Sequence, residues 1–233
     1  MRNTAGVHDY ASAREYLARG RNKTLRPLPG KATHLAALEN GRIVVVYHGT
    51  PIVGYSSDGS VSLRFGGFHT LTTREKMRAY TGRMVAGAGR GLSEVEGVVV
   101  RETCTIAPDG TVIPDVDDAG VKAIRQHHDR IKMFARDFAR AFLAGEVPPP
   151  SGGDCWYCHL FGDAGGADHL REYIKEKYYV PSLLVNAAQG DQILLGSVLP
   201  DVWSRKRYGH TRFWEGKVRK ALQDYIEARL PAP

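Results

Sequence analysis

Between Asp118 and Ala144 apolar side chains return every three or four positions, at Val121, Ile124, His128, Ile131, Ala135, Phe138 and Phe142. That spacing follows the period of an α-helix and predicts one continuous stripe along a single long helix. A helix of this length is not held by propensity alone, so its stripe has to be laid against another surface. Gly145 is the expected stop, since a glycine tolerates the left-handed backbone that closes a helix. The EVPPPSGG that follows is stiff and non-helical. A boundary near residue 147 is therefore expected, with an α+β domain over 1–147 and a helical domain over 148–233. Within the stripe, His128 is expected as a hydrogen-bonded core histidine rather than a ligand, with His127 beside it pointing outward.

Upstream of that helix the pattern is β-rich. A first helix is predicted over Tyr10–Arg19, and a basic, proline-containing loop follows through Pro27–Gly30. From Ala32 to Phe68, runs rich in Val, Ile and Tyr alternate with Asn40-Gly41 and Ser57-Asp58-Gly59 turns, which predicts an antiparallel meander of three or four strands. Thr72 and Glu75 have capping-box spacing and predict a short helix over Thr73–Tyr80. The glycine-rich Gly82–Gly97 reads as a loop, and its Gly87, Gly89 and Gly91 lack the preceding strand and following helix that a phosphate-binding loop needs. GVVVRETCTIA and TVI, joined by Pro108-Asp109-Gly110, complete the β part. Four further helices are expected, near 168–177, 181–188, 191–199 and 213–230. The expected fold class is α+β: an N-terminal antiparallel β-meander with flanking helices, and a small C-terminal helical module carrying a zinc knuckle.

Hydrophobic residues make up 42% of the chain and charged residues 24%, and no apolar run reaches the roughly 18–20 residues that span a bilayer. The N-terminus has no apolar stretch after a basic start, so a cytosolic protein with no membrane partner is expected, in the host cytoplasm if the chain is phage-encoded. Three cysteines are too few for a disulfide framework. Two of them, Cys155 and Cys158, frame a C-x2-C knuckle that aims two thiolates at one ion, the first half of many structural zinc sites. His169 follows on the first turn of a predicted helix as third ligand, and His159, Glu172 or His128 are candidates for the fourth, because Tyr173 stands where a second helical histidine would be. The zinc would be structural, since two thiolates leave little open coordination and no general base is adjacent. Reduced core cysteines without metal are the competing reading. Haem attachment at Cys155–His159 and thioredoxin-type chemistry fit the context poorly, and a zinc deaminase lacks its His-x-Glu.

Formal charge is +7, and its distribution along the chain is uneven. Residues 1–31 carry seven Lys or Arg against two acids, and residues 203–220 carry seven against one. In the second stretch Arg205, Lys206, Arg207, Arg212, Lys217, Arg219 and Lys220 surround Trp203, Tyr208, Phe213 and Trp214. Guanidinium groups grip phosphate and planar rings stack on unpaired bases, so nucleic acid is the expected partner. The same residues also read as core anchors with solvated cations, since Val218, Leu222, Tyr225 and Ile226 already define an apolar face.

RPLPGKATHL, YHGTPIVGYSSDGSVSLRFGGFHTLTTREKM, GDCWYCHL with DHLREYI and YYVPSLLVNA, and VRKALQDYIEARL together resemble a group of tailed-bacteriophage and prophage proteins of uncharacterised function. In that group Trp typically stands at the position of Phe68, and a His pair follows the cysteine block, of which this chain keeps His169 and has Tyr173 for the other. The resemblance implies a viral origin and no activity. The expected function is a zinc-stabilised, nucleic-acid-binding phage accessory protein without catalytic activity. The alternatives are a module that binds a host or virion protein, and a metal-dependent hydrolase or nuclease drawing on His48, Asp58, His69, His127 and Asp129.

Overall fold

The computed structural model describes residues 5–30, 32–151, 166–204 and 211–233. Its contacts divide the chain into two compact units, Met1–Val121 and Lys122–Pro233.

The first unit opens with α1 (Tyr10–Ala18), whose start is closed by a reciprocal cap: the Asp9 carboxylate accepts from the Ser12 amide at 2.8 Å, and the Ser12 hydroxyl accepts from the Asp9 amide at 3.1 Å. Strands β1 (Leu25–Pro27), β2 (Thr33–Ala37), β3 (Ile43–Tyr47), β4 (Thr50–Tyr55) and β5 (Val61–Arg64) pair antiparallel in sequence order. The expected meander is thus present, and it is larger than expected. β9 (Thr103–Ile106) adds beside β5, and β10 (Val112–Pro114) closes a seven-stranded sheet. Leu35, Val45, Ile52, Tyr55 and Leu63 from this sheet are buried with Phe65 and with Met77 of α2 (Leu71–Thr81). The cap of α2 is Thr70, whose hydroxyl accepts from the Thr73 amide at 3.2 Å, two residues earlier than the Thr72 box predicts.

The glycine-rich segment is not a loop. It forms a second, three-stranded antiparallel sheet of β6 (Val85–Gly89), β7 (Leu92–Val95) and β8 (Val98–Val100). Val85, Leu92 and Val95 supply its buried side, and Gly89, Arg90 and Gly91, all at positive φ, turn the chain between β6 and β7. Gly87 faces the Arg74 guanidinium, whose Nη1 would lie 3.0 Å from a Cβ added there.

Lys76 of α2 is only 3% exposed; its ammonium donates to Thr33 Oγ1 at 2.9 Å and lies 5.4 Å from the Tyr47 ring centre. Burial pushes its pKa down. The folded state therefore binds this proton less tightly than the unfolded chain, and stability contributed here rises with pH as the unfolded value of 10.5 is approached from below. Lys76→Met is expected to stabilise the N-terminal unit by about 1 kcal/mol at pH 7, with the advantage shrinking towards pH 10. Urea titrations at the two pH values check it; a variant less stable than wild type at pH 7 would show that the ammonium is held favourably.

In the second unit α3 (Asp118–Leu143) ends as expected, with Gly145 at φ 79° and its amide donating to Phe142 O at 2.9 Å. α4 (Gly166–Glu176), α5 (Pro181–Ala187), a helical run over 192–203 containing a π turn at Leu194–Val198 and ending in α6 (Leu199–Trp203), and α7 (Thr211–Arg229) follow. The stripe of α3, from Ile131 through Phe134, Ala135, Phe138 and Phe142, is buried against Leu183, Leu184, Val198, Val218, Leu222 and Ile226 of these later helices. This corrects the expected boundary at 147: the long helix is part of the core of the C-terminal unit. The proline segment is held in that core as well, because Val147 is buried and its carbonyl accepts from the Trp203 indole N–H at 3.1 Å. A linker that cannot be helical is still free to pack.

Candidate nucleic-acid interface

The polar flank of α3 next to its apolar stripe carries Lys122, Arg125, Lys132, Arg136 and Arg140. Positions 122, 125, 132, 136 and 140 fall within one narrow sector of the helical wheel, and at 1.5 Å per residue they span roughly 27 Å. Lys122, Arg125 and Lys132 are exposed and have no carboxylate partner among the described residues. Arg136 pairs with its neighbour Asp137 at 2.9 Å and Arg140 with Glu215 at 2.9 Å, while Asp129 is the acid within the stripe. Counting charge in sequence blocks hid this arrangement, because the apolar half of the helix and its neighbouring acids dilute it; reading only the polar side of the wheel would have found it.

Beside the stripe, between the same helix and the α4 region, lies a cleft of about 700 Å³. Its apolar part comes from Ile131, Phe134, Ile174, Tyr179 and Leu230. Its polar part is mostly cationic: Arg130, Arg171, Lys175 and Lys177, with Asp137 the carboxylate side chain among the lining residues. Arg171 and Lys175 make exposed pairs with Asp168 at 2.6 Å and Glu176 at 3.0 Å, contacts weak enough to be exchanged for a ligand. Arg130 and Lys177 have no carboxylate partner among the described residues. Asp137 also takes a hydrogen bond from Arg136 Nε at 2.9 Å, which offsets its charge at the cleft wall. Burial, and then the charge of Asp137, raise the pKa of Tyr179 and keep its hydroxyl protonated.

The basic-aromatic stretch behaves in two ways. Arg205, Lys206, Arg207 and Tyr208 lie outside the described residues. Trp203 packs edge-on to Phe142 at 5.7 Å and spends its N–H on Val147, so it is an anchor of the core and its ring is not offered to a base. Arg212 is exposed beside Phe213, itself 57% exposed and set edge-on to Trp214. Lys217 reaches Asp191 at 3.4 Å; amide bonds from Leu194 and Ile193, together with this lysine, hold the Asp191 pKa down. Lys220 pairs with Asp224 at 2.5 Å, and Arg219 is half-buried. Of the two paired cations, Lys217 is held in a partly buried contact, while the exposed Lys220 pair is as exchangeable as those of Arg171 and Lys175.

Of the expected zinc ligands, Cys155, Cys158 and His159 lie outside the described residues. His169 sits on α4 with Nδ1 3.3 Å from the Tyr173 hydroxyl. Among the described residues no three His, Cys, Asp or Glu side chains converge as metal ligands. His128 meets Glu227 Oε1 at 3.0 Å, matching a hydrogen-bonded histidine. His127 is not outward: its Nε2 donates to Leu230 O at 2.9 Å, and the ring lines the cleft. Cys104 is buried, and burial pushes its thiol up to about 12, so it is an inert core residue.

The structure brings His69 together with two residues that spacing did not suggest. His69 Nδ1 lies 2.9 Å from Ser93 Oγ on β7, and Nε2 lies 3.3 Å from Glu102 Oε1. Glu102 also accepts from the Gly67 amide at 2.9 Å, and the imidazole stacks on Phe65 with 4.9 Å between centroids. Serine, histidine and carboxylate in a row is the connectivity of a hydrolase triad. Ser93, however, is 0% exposed, so its hydroxyl meets no substrate. The row acts as a clasp that ties the small sheet to the segment before α2. His48, Asp58 and Asp129 are not part of it.

No helix among the described residues is long and apolar enough to cross a membrane. No known protein family, curated protein or solved structure matches the chain.

Proposed function

We propose that this protein binds nucleic acid through its C-terminal unit, as an accessory protein of a tailed phage. The observation that carries the reading is the line of five cations along α3, spread over roughly 27 Å and interrupted by the single acid Asp129. An extended polyanion with regularly spaced charges matches a linear basic stripe better than a compact anionic ligand does. Arg212 and the exposed ring of Phe213 on α7 add a second cation and aromatic pair of the kind that contacts phosphate and base. The phage setting is supported by the sequence blocks that resemble phage and prophage proteins, RPLPGKATHL and GDCWYCHL among them.

The test is a binding titration of a fluorescent mixed-sequence single-stranded oligonucleotide at several salt concentrations. Charge reversal at Arg125 and Lys132 together is expected to weaken binding at least tenfold and to flatten the plot of log K against log salt by about 1.4, the counterions of two lost phosphate contacts. Both side chains are exposed, so the variant is expected to melt as wild type does. Unchanged affinity and salt slope in the variant would overturn the reading.

A further inference from the structure

The cleft beside the stripe has a chemistry of its own. Gln126, Arg130, Met133 and Asp137 lie on the flank of α3 adjoining the basic sector, so an anionic chain following the stripe passes the mouth of the cleft. Inside, the walls turn apolar and aromatic, with Phe134, Ile174, Tyr179 and Leu230. At about 700 Å³ the space falls in the range of sites that take small organic ligands rather than a whole macromolecule. Its charged lining side chains are mostly cationic: Arg130 and Lys177 have no carboxylate partner among the described residues, and Asp137 is already answered by Arg136. Lys177 stands just past the end of α4 at φ 52°, a left-handed position where glycine is usual. A lysine there places a cation at the mouth that glycine would not supply.

A flat apolar group with an attached anion satisfies both halves of this cavity, and a simple anion satisfies only the rim. We infer that the cleft is a subsite for one unpaired nucleotide, its base against the Phe134 and Tyr179 wall and its phosphate on Arg130 and Lys177. The inference rests on the nucleic-acid reading of the stripe, and it adds that the protein distinguishes strands with bases free to leave the stack from strands without them. The same chemistry is offered by a free mononucleotide, and the test separates the two sources.

Three probes are titrated against the full chain: a thymidine tract, an abasic tract of equal length and phosphate count, and thymidine monophosphate. Wild type is expected to bind the thymidine tract at least about tenfold more tightly than the abasic one, the usual scale of stacking for one base. Met133→Glu, at a half-exposed site where folding is not at stake, is expected to abolish that preference while affinity for the abasic tract stays within a few-fold, and Arg130→Gln, which removes a phosphate contact, is expected to weaken binding of both tracts and of the monophosphate. Equal affinity of wild type for both tracts, or a preference that survives Met133→Glu, would overturn the subsite and leave the stripe intact. Binding of the monophosphate with neither tract bound would keep the cleft as a mononucleotide site and remove the stripe from function. Binding of none of the three would overturn both.

Discussion

Phe138→Ala is expected to cost the C-terminal unit about 3–5 kcal/mol, the range for truncating a fully buried ring. Phe138 is 0% exposed and holds two neighbours in place: Tyr179 stacks on it with 5.1 Å between centroids, and Phe134 meets it edge-on at 5.8 Å. Removing the ring takes away its burial, leaves a cavity in the middle of the α3 stripe and releases both partners. Phe134 and Tyr179 also wall the cleft, so affinity for a thymidine tract should fall with stability. Hydrogen exchange checks the prediction locally. Amides of α3, α5 and α7 should lose protection while those of β3 and β4 keep theirs, because the latter belong to a separate core. Equal loss in both sets would mean that the two units unfold as one.

His69→Ala is expected to destabilise the N-terminal unit by about 2–4 kcal/mol, the sum of an orphaned buried hydroxyl and a lost ring contact. Ser93 Oγ is buried with His69 Nδ1 as its partner at 2.9 Å, and Phe65 loses the ring stacked on it. Ser93→Ala should cost less, since it deletes the buried hydroxyl instead of stranding it. Glu102→Gln should cost least, because that carboxylate is 43% exposed and water can replace the contact. Chemical denaturation of the three variants ranks them. An order with Glu102→Gln as the most damaging would show that the carboxylate, and not the buried hydroxyl, is the anchor of the clasp. The ranking also separates a clasp from a catalytic triad, in which the serine and histidine would be lost from activity together with little effect on folding.

Periodicity and turn chemistry are local properties, and where they decide structure the sequence is enough. The stripe from Val121 to Phe142 and the stop at Gly145 specify α3, and Asn40-Gly41, Asp58-Gly59 and Asp109-Gly110 specify the hairpins of an antiparallel sheet. The α+β class follows from those alone. Gly82–Gly97 shows the limit. Glycine propensity favours a loop, and the opposing reason for a strand, the burial of Val85, Val95 and Val100 in a core shared with other elements, is invisible to any local window.

The same division holds for the site. That the chain is basic, and that cations mix with aromatic residues in its C-terminal half, is plain from the residues. Which of them are available is a matter of what packs on what. Trp203 and Phe213 look alike in the sequence, yet one donates to Val147 inside the core and the other is 57% exposed, because α6 is folded into the bundle and the start of α7 is not. His69, Ser93 and Glu102 are separated by 24 and 33 positions from the histidine and meet only through the joining of two sheets. The sequence alone determined the elements and the sign of the charge, since both depend on neighbours along the chain. The tertiary structure decided the partner of the long helix, the cleft beside it and the clasp, since each is made of residues brought together by burial and not by order.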